Sequence, residues 1–130
     1  MRLADTSFWI ALAASRDADH AEAVAVWARQ DRPVTVTNHV AGETWTFLRR
    51  KAGHPAAVAA LRVFRSSRVQ LHHVEPALED EAWRWLGRHD ERSYSFVDAT
   101  SFAVMRRLRM REALAFDGDF QAAGFIEVRA

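Results

Sequence analysis

Cysteine is absent from the 130 residues of this chain, which therefore has neither a disulfide framework nor a thiolate zinc site. Any bound metal must be held by oxygen or histidine ligands. Long apolar runs are also missing, since none approaches the roughly 20 residues of a membrane span. The N-terminal residues MRLADTSFWI lack the basic region and the long apolar stretch of a signal peptide. We therefore expect a soluble, cytoplasmic protein with no membrane partner.

Lysine occurs only once, as Lys51, so nearly all of the 18 positively charged residues are arginines. The formal net charge of +1 predicts no particular class of partner. The basic residues do gather locally, at 49–51, 62–68 and 106–111. Arginine clusters bind phosphates through planar, bidentate contacts, but runs of charge are more often solvated helix faces. The clusters support a nucleic-acid ligand without establishing one.

The order of elements predicts an α/β fold. No repeat, low-complexity tract or linker rich in proline and glycine divides the chain, which predicts a single domain over residues 1–130. Strands are predicted at residues 1–5, 34–37, 69–74, 113–116 and 126–128. Helices are predicted from the caps Thr6 and Ser7, over about 18–30, from Thr37 or Asn38, over about 55–65, from Pro76 and over about 96–108. Strands separated by helices imply a mainly parallel sheet covered on both faces, because parallel neighbours need long crossovers.

Acidic residues recur where one predicted element passes into the next. Asp5 ends the first strand, and the ligands of open parallel sheets bind beyond the carboxyl ends of strands. Glu43 lies early in the third helix among small and apolar neighbours, where a glutamate needs a partner. Ordinary explanations exist for both: Asp5 as a helix cap or turn residue, and Glu43 as an exposed glutamate or a partner of His39.

Asp98, Asp117 and Asp119 extend this series. Asp98 lies at a predicted helix start in SFVDATSF, where Ser95 and Asp98 have the spacing of a capping box. Asp117 and Asp119 flank Gly118 just after a predicted strand, which directs both toward the same end of the sheet. A plain turn is the alternative explanation for that pair.

One cleft that holds a divalent cation explains all of these acids together. Clustered carboxylates repel one another, and a fold gathers several of them mainly when a hard cation lies between them. The histidines give no support to a zinc site, because no HExxH motif occurs and the adjacent His72 and His73 would point to opposite faces of a strand. The sequence therefore predicts a metal centre built from carboxylates.

Four motifs in this order resemble those of the PIN-domain family, and specifically its VapC-type toxins. The motifs are LADTSFWIAL, ETWTFL, SFVDATSFAVMRRL and ALAFDGDFQAAGF, which together cover nearly the whole chain. The resemblance implies a three-layer α/β/α sandwich and an endoribonuclease that hydrolyses RNA with water activated by Mg²⁺ or Mn²⁺. Carried over by motif, Asp5, Glu43 and Asp98 match the three principal acids of the family, and Asp117 matches its fourth acid.

The last motif carries two acids where one is common, so the resemblance leaves open whether Asp117 or Asp119 is the closer metal ligand. Thr6 matches the hydroxyl position beside the first acid. The resemblance also implies three partners for a toxin of this kind: an RNA substrate, a small antitoxin protein that covers the cleft, and a second copy of the chain in a homodimer.

Two other classes of function fit parts of the pattern. A catalytically silent PIN-like domain would bind RNA or a protein without cleaving it, and the retained acids argue against that class. An aspartate-based phosphoryl-transfer domain, such as a receiver or an aspartyl phosphatase, also keeps acids at strand ends. It is poorly supported, because Asp5 is not followed by a DxD pattern and Lys51 lies outside the late-strand context of a receiver.

Overall fold

The computed structural model of the protein describes all 130 residues, and its centre is a sheet of five parallel strands. The strands are β1 Arg2–Ala4, β2 Val34–Thr37, β3 Val69–His72, β4 Glu112–Leu114 and β5 Ile126–Glu127. They lie in the order β3-β2-β1-β4-β5, so the chain builds outward from the central β1 first on one side and later on the other. A crevice for ligands is expected where the order reverses, at the carboxyl ends of β1 and β4.

Seven helices connect the strands. They are α1 Thr6–Ala13, α2 His20–Ala28, α3 Asn38–Lys51, α4 His54–Phe64, α5 Pro76–Arg88, α6 Phe96–Arg107 and α7 Asp119–Ala122. Their starts follow ordinary capping rules: α3 is capped by the Thr37 side chain, and α5 begins with Pro76, whose missing N–H is not needed in a first turn. No helix is both long enough and apolar enough to span a membrane.

The helices cover both faces of the sheet. Adjacent residues of a strand point to opposite faces, and Leu3 and Ala4 of β1 accordingly belong to different buried clusters. The cluster that contains Phe102 joins β1 and β4 to α5, α6 and α7. The cluster that contains Phe8 joins the other face to α1, α2, α3 and α4. This three-layer α/β/α sandwich confirms the predicted fold class.

Four strands end earlier than predicted, and the differences at β3 and β4 bear on the site. β3 ends at His72, and two residues later the amide of Val74 donates to the Asn38 side chain at 2.8 Å. β4 ends at Leu114, and the amide of Phe116 donates to the Ser7 hydroxyl. The carboxyl edge of the sheet is therefore finished by side chains from neighbouring elements.

Two predicted features near that edge also differ in the structure. Asp5, and not Thr6 or Ser7, is the N-cap of α1, because its carboxylate accepts the backbone N–H of Ser7. The FDGDF segment is a turn only as far as Gly118, since Asp119 begins the four-residue helix α7.

Candidate metal centre

Asp5 enters the site from the end of the central strand. Its backbone N–H donates to the carbonyl oxygen of Leu114 at 2.9 Å, which extends the pairing of β1 with β4 by one residue. Its Oδ2 accepts the backbone N–H of Ser7 at 3.1 Å and the hydroxyl of Ser7 at 2.8 Å. Asp5 is only 2% exposed, so its carboxylate is held in place within the protein.

Asp117 enters from the neighbouring strand. Because Ala4 and Leu114 are paired in register, β1 and β4 end level with each other, and the segment after β4 starts beside Asp5. Oδ1 of Asp117 accepts the backbone N–H of Asp119 at 3.0 Å, which fixes the side chain on its turn. Asp117 is the exposed member of the site and faces its opening.

Asp98 enters from the first turn of α6. The capping box is present: Oδ2 of Asp98 accepts the N–H of Ser95 at 3.0 Å, and the Ser95 hydroxyl accepts the N–H of Asp98 at 3.0 Å. Asp98 is 8% exposed. The structural role does not exclude a chemical one, because the capping box uses only one of the two carboxylate oxygens.

These three acids converge. Asp5, Asp98 and Asp117 each offer a carboxylate oxygen, and the three oxygens lie within 4.8 Å of one another. In each carboxylate one oxygen accepts a backbone N–H, and the other has no backbone or hydroxyl donor. The protein therefore orients every carboxylate through one oxygen and leaves the second oxygen of each available.

The cluster is electrostatically costly without a cation. Burial, reinforced by repulsion from Asp117 and Asp98, raises the pKa of Asp5 to about 8. Burial, reinforced by the charges of Asp117 and Asp119, raises the pKa of Asp98 to about 6. The pKa of Asp117 is raised as well, first by shielding of its inward side from water and then by Asp119 and Glu127. A bound divalent cation would reverse these shifts, because it stabilises the ionised form of every carboxylate.

The donor set fits Mg²⁺ or Mn²⁺. Both ions prefer oxygen ligands, and the cluster of Asp5, Asp98 and Asp117 contains neither histidine nor cysteine. Thr6 supplies a further oxygen next to Asp5 in the chain: its hydroxyl is buried and has no hydrogen-bond partner. Since a buried hydroxyl without a partner is unfavourable, this oxygen is available to a cation or to a water bound by one.

The structure does not bring Glu43 into the cluster. Glu43 is exposed on α3, where it lines a groove of about 590 Å³. Val97, the residue before Asp98, lines the same groove, whereas none of the three clustered acids does. The alternative pairing of Glu43 with His39 is not formed, because Nε2 of His39 lies 2.9 Å from Oε2 of Glu79.

Asp119 also lies outside the group of three. Its Oδ1 accepts Nε of Arg92 at 2.8 Å, and Nη2 of the same arginine donates to the carbonyl oxygen of Asp117 at 3.3 Å. Of the two acids in the last motif, Asp117 is the one that the structure directs toward Asp5 and Asp98.

The chain matches one known protein family over nearly its whole length. The model of the PIN domain matches residues 2–126. The chain belongs to the PIN-domain family. The four motifs that resemble those of VapC-type PIN-domain ribonucleases all lie within the matched residues.

Individual relatives of this PIN-domain chain are toxins of one kind. Proteins of two Mycobacterium tuberculosis strains, both named 23S rRNA-specific endonuclease VapC20, are each 57% identical to it over 129 residues, which is 99% of this chain and 98% of each relative. The crystal structure of M. tuberculosis VapC20, described as a sarcin-ricin loop cleaving toxin, has a TM-score of 0.97 and 55% identity, and covers 100% of both chains. The predicted resemblance to VapC-type PIN-domain proteins and the predicted fold class are confirmed.

Sequence reasoning missed three residues around the acids of this PIN domain. Ser7 links Asp5 to the segment after β4, and its position two residues after an aspartate was an available signal. Arg92 and Arg129 contact the segment around Asp117, and no local pattern distinguishes them from the other arginines. Their role depends on contacts between residues far apart in the chain.

Proposed function

We propose that this PIN-domain protein is a metal-dependent endoribonuclease toxin and that its substrate is the sarcin-ricin loop of 23S ribosomal RNA. The observation that carries the proposal is the convergence of Asp5, Asp98 and Asp117 within 4.8 Å. The choice of substrate is supported by relatives that are 57% identical and named for cleaving 23S rRNA.

Asp5, Asp98 and Asp117 would hold the cation, with the Thr6 hydroxyl binding it directly or through water. When bound, a divalent cation neutralises the scissile phosphate and lowers the pKa of a nearby water. Because the pKa of Asp5 is raised to about 8, this carboxyl would release a proton when a cation binds near neutral pH, and Asp98, with a pKa of about 6, would do so only at lower pH. Ser7 and Ser95 hold these two carboxylates through one oxygen each, so the other oxygen of each carboxylate would remain for the cation.

Glu43 has a separate role in this proposal. It lies on the groove wall beside Val97 and outside the group of three acids. From there its carboxylate would orient the attacking water or accept the proton that the water loses. Attack by water in line with the leaving oxygen yields a 5′ phosphate and a 3′ hydroxyl.

The partners follow from the same assignment. A toxin that cuts ribosomal RNA acts in the cytoplasm, and we expect an antitoxin that covers the acid cluster until cleavage is needed. We also expect a homodimer through exposed apolar residues of the helices. Phe47 on α3 and Trp83 on α5 are 39% and 57% exposed, and they support such an interface.

The proposal is tested by incubating purified protein with bacterial ribosomes and with a synthetic sarcin-ricin stem-loop, in Mg²⁺ or Mn²⁺. New 5′ ends are then mapped, with EDTA and the Asp98→Asn variant as controls. We expect one discrete cut in the loop that both controls abolish. Cuts elsewhere in total RNA would change the substrate but keep the nuclease. No cleavage by folded, metal-bound protein would support a silent binding domain.

A further inference from the structure

Two arginines contact the segment that carries Asp117. One contacts Asp117 and Asp119, and the other contacts Ala115, two residues before Asp117. They are Arg92, from the loop between α5 and α6, and Arg129, after β5. We infer that this arginine pair binds the RNA phosphates that flank the scissile one. The inference rests on the proposed ribonuclease function and deepens it, because it assigns the residues that position the RNA backbone over the acids.

Arg92 is fixed by two hydrogen bonds, one to Asp119 and one to Asp117. Its Nε donates to Oδ1 of Asp119 at 2.8 Å, and its Nη2 donates to the carbonyl oxygen of Asp117 at 3.3 Å. Gly118 adjoins this arginine: a Cβ at this position would lie in ordinary contact, 3.4 Å from Nη2 of Arg92, and the φ of +80° is a conformation that favours glycine.

Arg129 is likewise fixed by hydrogen bonds, to Ala115 and to Glu127. Its Nη1 donates to the carbonyl oxygen of Ala115 at 2.8 Å, and its Nη2 lies 3.4 Å from Oε1 of Glu127. Its guanidinium carbon lies 4.5 Å above the ring of Phe116. Backbone, carboxylate and aromatic ring together fix the plane of this guanidinium.

In both pairs the acid lies inside and the arginine faces solvent. The side chains of Arg92 and Asp119 are 42% and 18% exposed, and those of Arg129 and Glu127 are 46% and 4% exposed. A guanidinium has five N–H donors. Arg92 uses two of them in the contacts described, and Arg129 uses three, because its Nη1 also donates to the carbonyl oxygen of Val128 at 3.0 Å; each arginine therefore keeps unused donors.

Phosphate is the ligand that such donors fit. An RNA chain that enters the site meets three clustered carboxylates, and their charge opposes its approach. Fixed guanidinium groups beside the acids offset that repulsion and bind phosphate oxygens in a bidentate manner. Because Arg92 and Arg129 contact the chain on opposite sides of Asp117, we assign them to phosphates on opposite sides of the cut. Asp119 then serves as the group that orients Arg92.

The first experiment measures cleavage of the synthetic stem-loop by Arg92→Ala and Arg129→Ala, each with its lysine counterpart. We expect KM to rise about tenfold for each alanine variant, since a hydrogen bond to a charged group is worth at least one order of magnitude in binding. The dependence of log KM on log salt should weaken by about 0.7 per lost phosphate contact. The lysine variants should show the wild-type salt dependence, because they keep the charge. Their KM values should lie between those of the wild type and the alanine variants.

Matched controls separate these effects from damage to the fold or to the metal site. Arg32→Ala removes an exposed arginine just before β2, at the other end of the sheet, and should leave KM unchanged. Because Arg129→Ala leaves the buried Glu127 without its partner, the Glu127→Gln/Arg129→Ala double variant is measured beside it. Mn²⁺ affinity, followed by calorimetry, should not fall in the Arg92→Ala and Arg129→Ala variants, because each of them loses a positive charge near the acids.

The second experiment assigns each arginine to one phosphate. Stem-loops are made with a single neutral methylphosphonate linkage at each position near the cut. Wild-type protein should lose about tenfold in KM at two flanking positions. Arg92→Ala should be insensitive at one of them and Arg129→Ala at the other, because a contact already lost cannot be lost again. A merely structural role would not produce this dependence on position.

The outcomes distinguish this inference from the proposed function. If wild-type protein does not cleave the loop, the proposed function fails and the inference falls with it. If wild-type protein cleaves and the arginine variants behave like Arg32→Ala, the inference alone is overturned. Variants that cleave normally but lose an acidic protein partner would also overturn it, since the arginines would then belong to a protein interface.

Discussion

The hydroxyl of Ser7 lies 2.8 Å from Oδ2 of Asp5 and donates to it. The same hydroxyl accepts the backbone N–H of Phe116 at 3.0 Å. One small side chain thus ties the end of β1 to the segment after β4, the two places from which Asp5 and Asp117 enter the cluster. The positions of these two acids are therefore set by Ser7 as well as by the pairing of β1 with β4.

Ser7→Ala should weaken metal binding and reduce stability. The variant leaves the part-buried N–H of Phe116 without its acceptor, which costs about 1–3 kcal/mol in the free energy of unfolding. It also frees Asp5 from one of its two donors, so Mn²⁺ affinity should fall. Chemical denaturation without metal and calorimetric Mn²⁺ titration measure the two effects. Wild-type Mn²⁺ affinity in this variant would mean that Ser7 does not position Asp5.

Thr6→Val should weaken metal binding without reducing stability. The Thr6 hydroxyl is buried and makes no hydrogen bond, so its replacement by a methyl group should leave the metal-free stability unchanged or slightly higher. Mn²⁺ affinity should nevertheless fall, because the site loses an oxygen. Loss of stability with unchanged Mn²⁺ affinity would show that the hydroxyl serves the fold and not the cation.

The sequence was sufficient to predict that Asp5 converges with the pair Asp117 and Asp119, because these acids follow strands that end at the same edge of a parallel sheet. Asp98 was ambiguous for a physical reason: one carboxylate both caps α6 and faces the cluster. The same aspartate satisfies both the capping pattern and the metal-ligand pattern, so the sequence could not show which role Asp98 has.

The sequence was not sufficient to place Glu43 or to choose between Asp117 and Asp119. Glu43 lies on a helix, and the distance of its side chain from the sheet edge depends on how α3 packs. Asp119 is drawn away from the cluster by Arg92, which is 27 residues distant in the chain. Strand order is a further long-range property, since the pairing of β1 with β4 joins residues near opposite ends of the sequence.

Asp98→Asn and Asp98→Ala should separate the two roles of this residue. Asparagine keeps an oxygen for the N–H of Ser95 and removes the buried charge, so metal-free stability should be unchanged or higher while cleavage is lost. Alanine also removes the capping bond, which costs about 1 kcal/mol of stability. Thermal denaturation and loop cleavage measure both variants. Residual cleavage by Asp98→Asn near the wild-type rate would contradict the metal role.

The stability of the metal-free protein should fall as pH rises. The pKa of Asp5 is 3.8 in an ordinary environment and is raised to about 8 in the fold, so over that range the native state binds protons that the unfolded chain has released. The free energy of unfolding therefore decreases as pH increases from 3.8 to about 8, with Asp98 contributing up to about pH 6.

Saturating Mg²⁺ should flatten this pH dependence, because the cation takes the place of the protons and binds only the folded state. Asp5→Asn should flatten it without metal, because the amide does not titrate. Chemical denaturation across the same pH range, in EDTA and in Mg²⁺, measures each curve. A metal-free curve that rises toward pH 8 would show that the acids are not clustered in solution.

Glu43→Gln should lower the rate of cleavage without weakening metal binding. Glu43 is exposed and lies outside the three clustered acids, so both the free energy of unfolding and Mn²⁺ affinity should stay at their wild-type values. If Glu43 orients the attacking water from the groove, kcat falls and KM for the stem-loop changes little.

The matched control is Asp31→Asn, an exposed acid at the other end of the sheet, which should leave kcat unchanged. A fall in Mn²⁺ affinity would instead mean that α3 moves to bring Glu43 onto the cation, and an unchanged kcat would remove Glu43 from the mechanism.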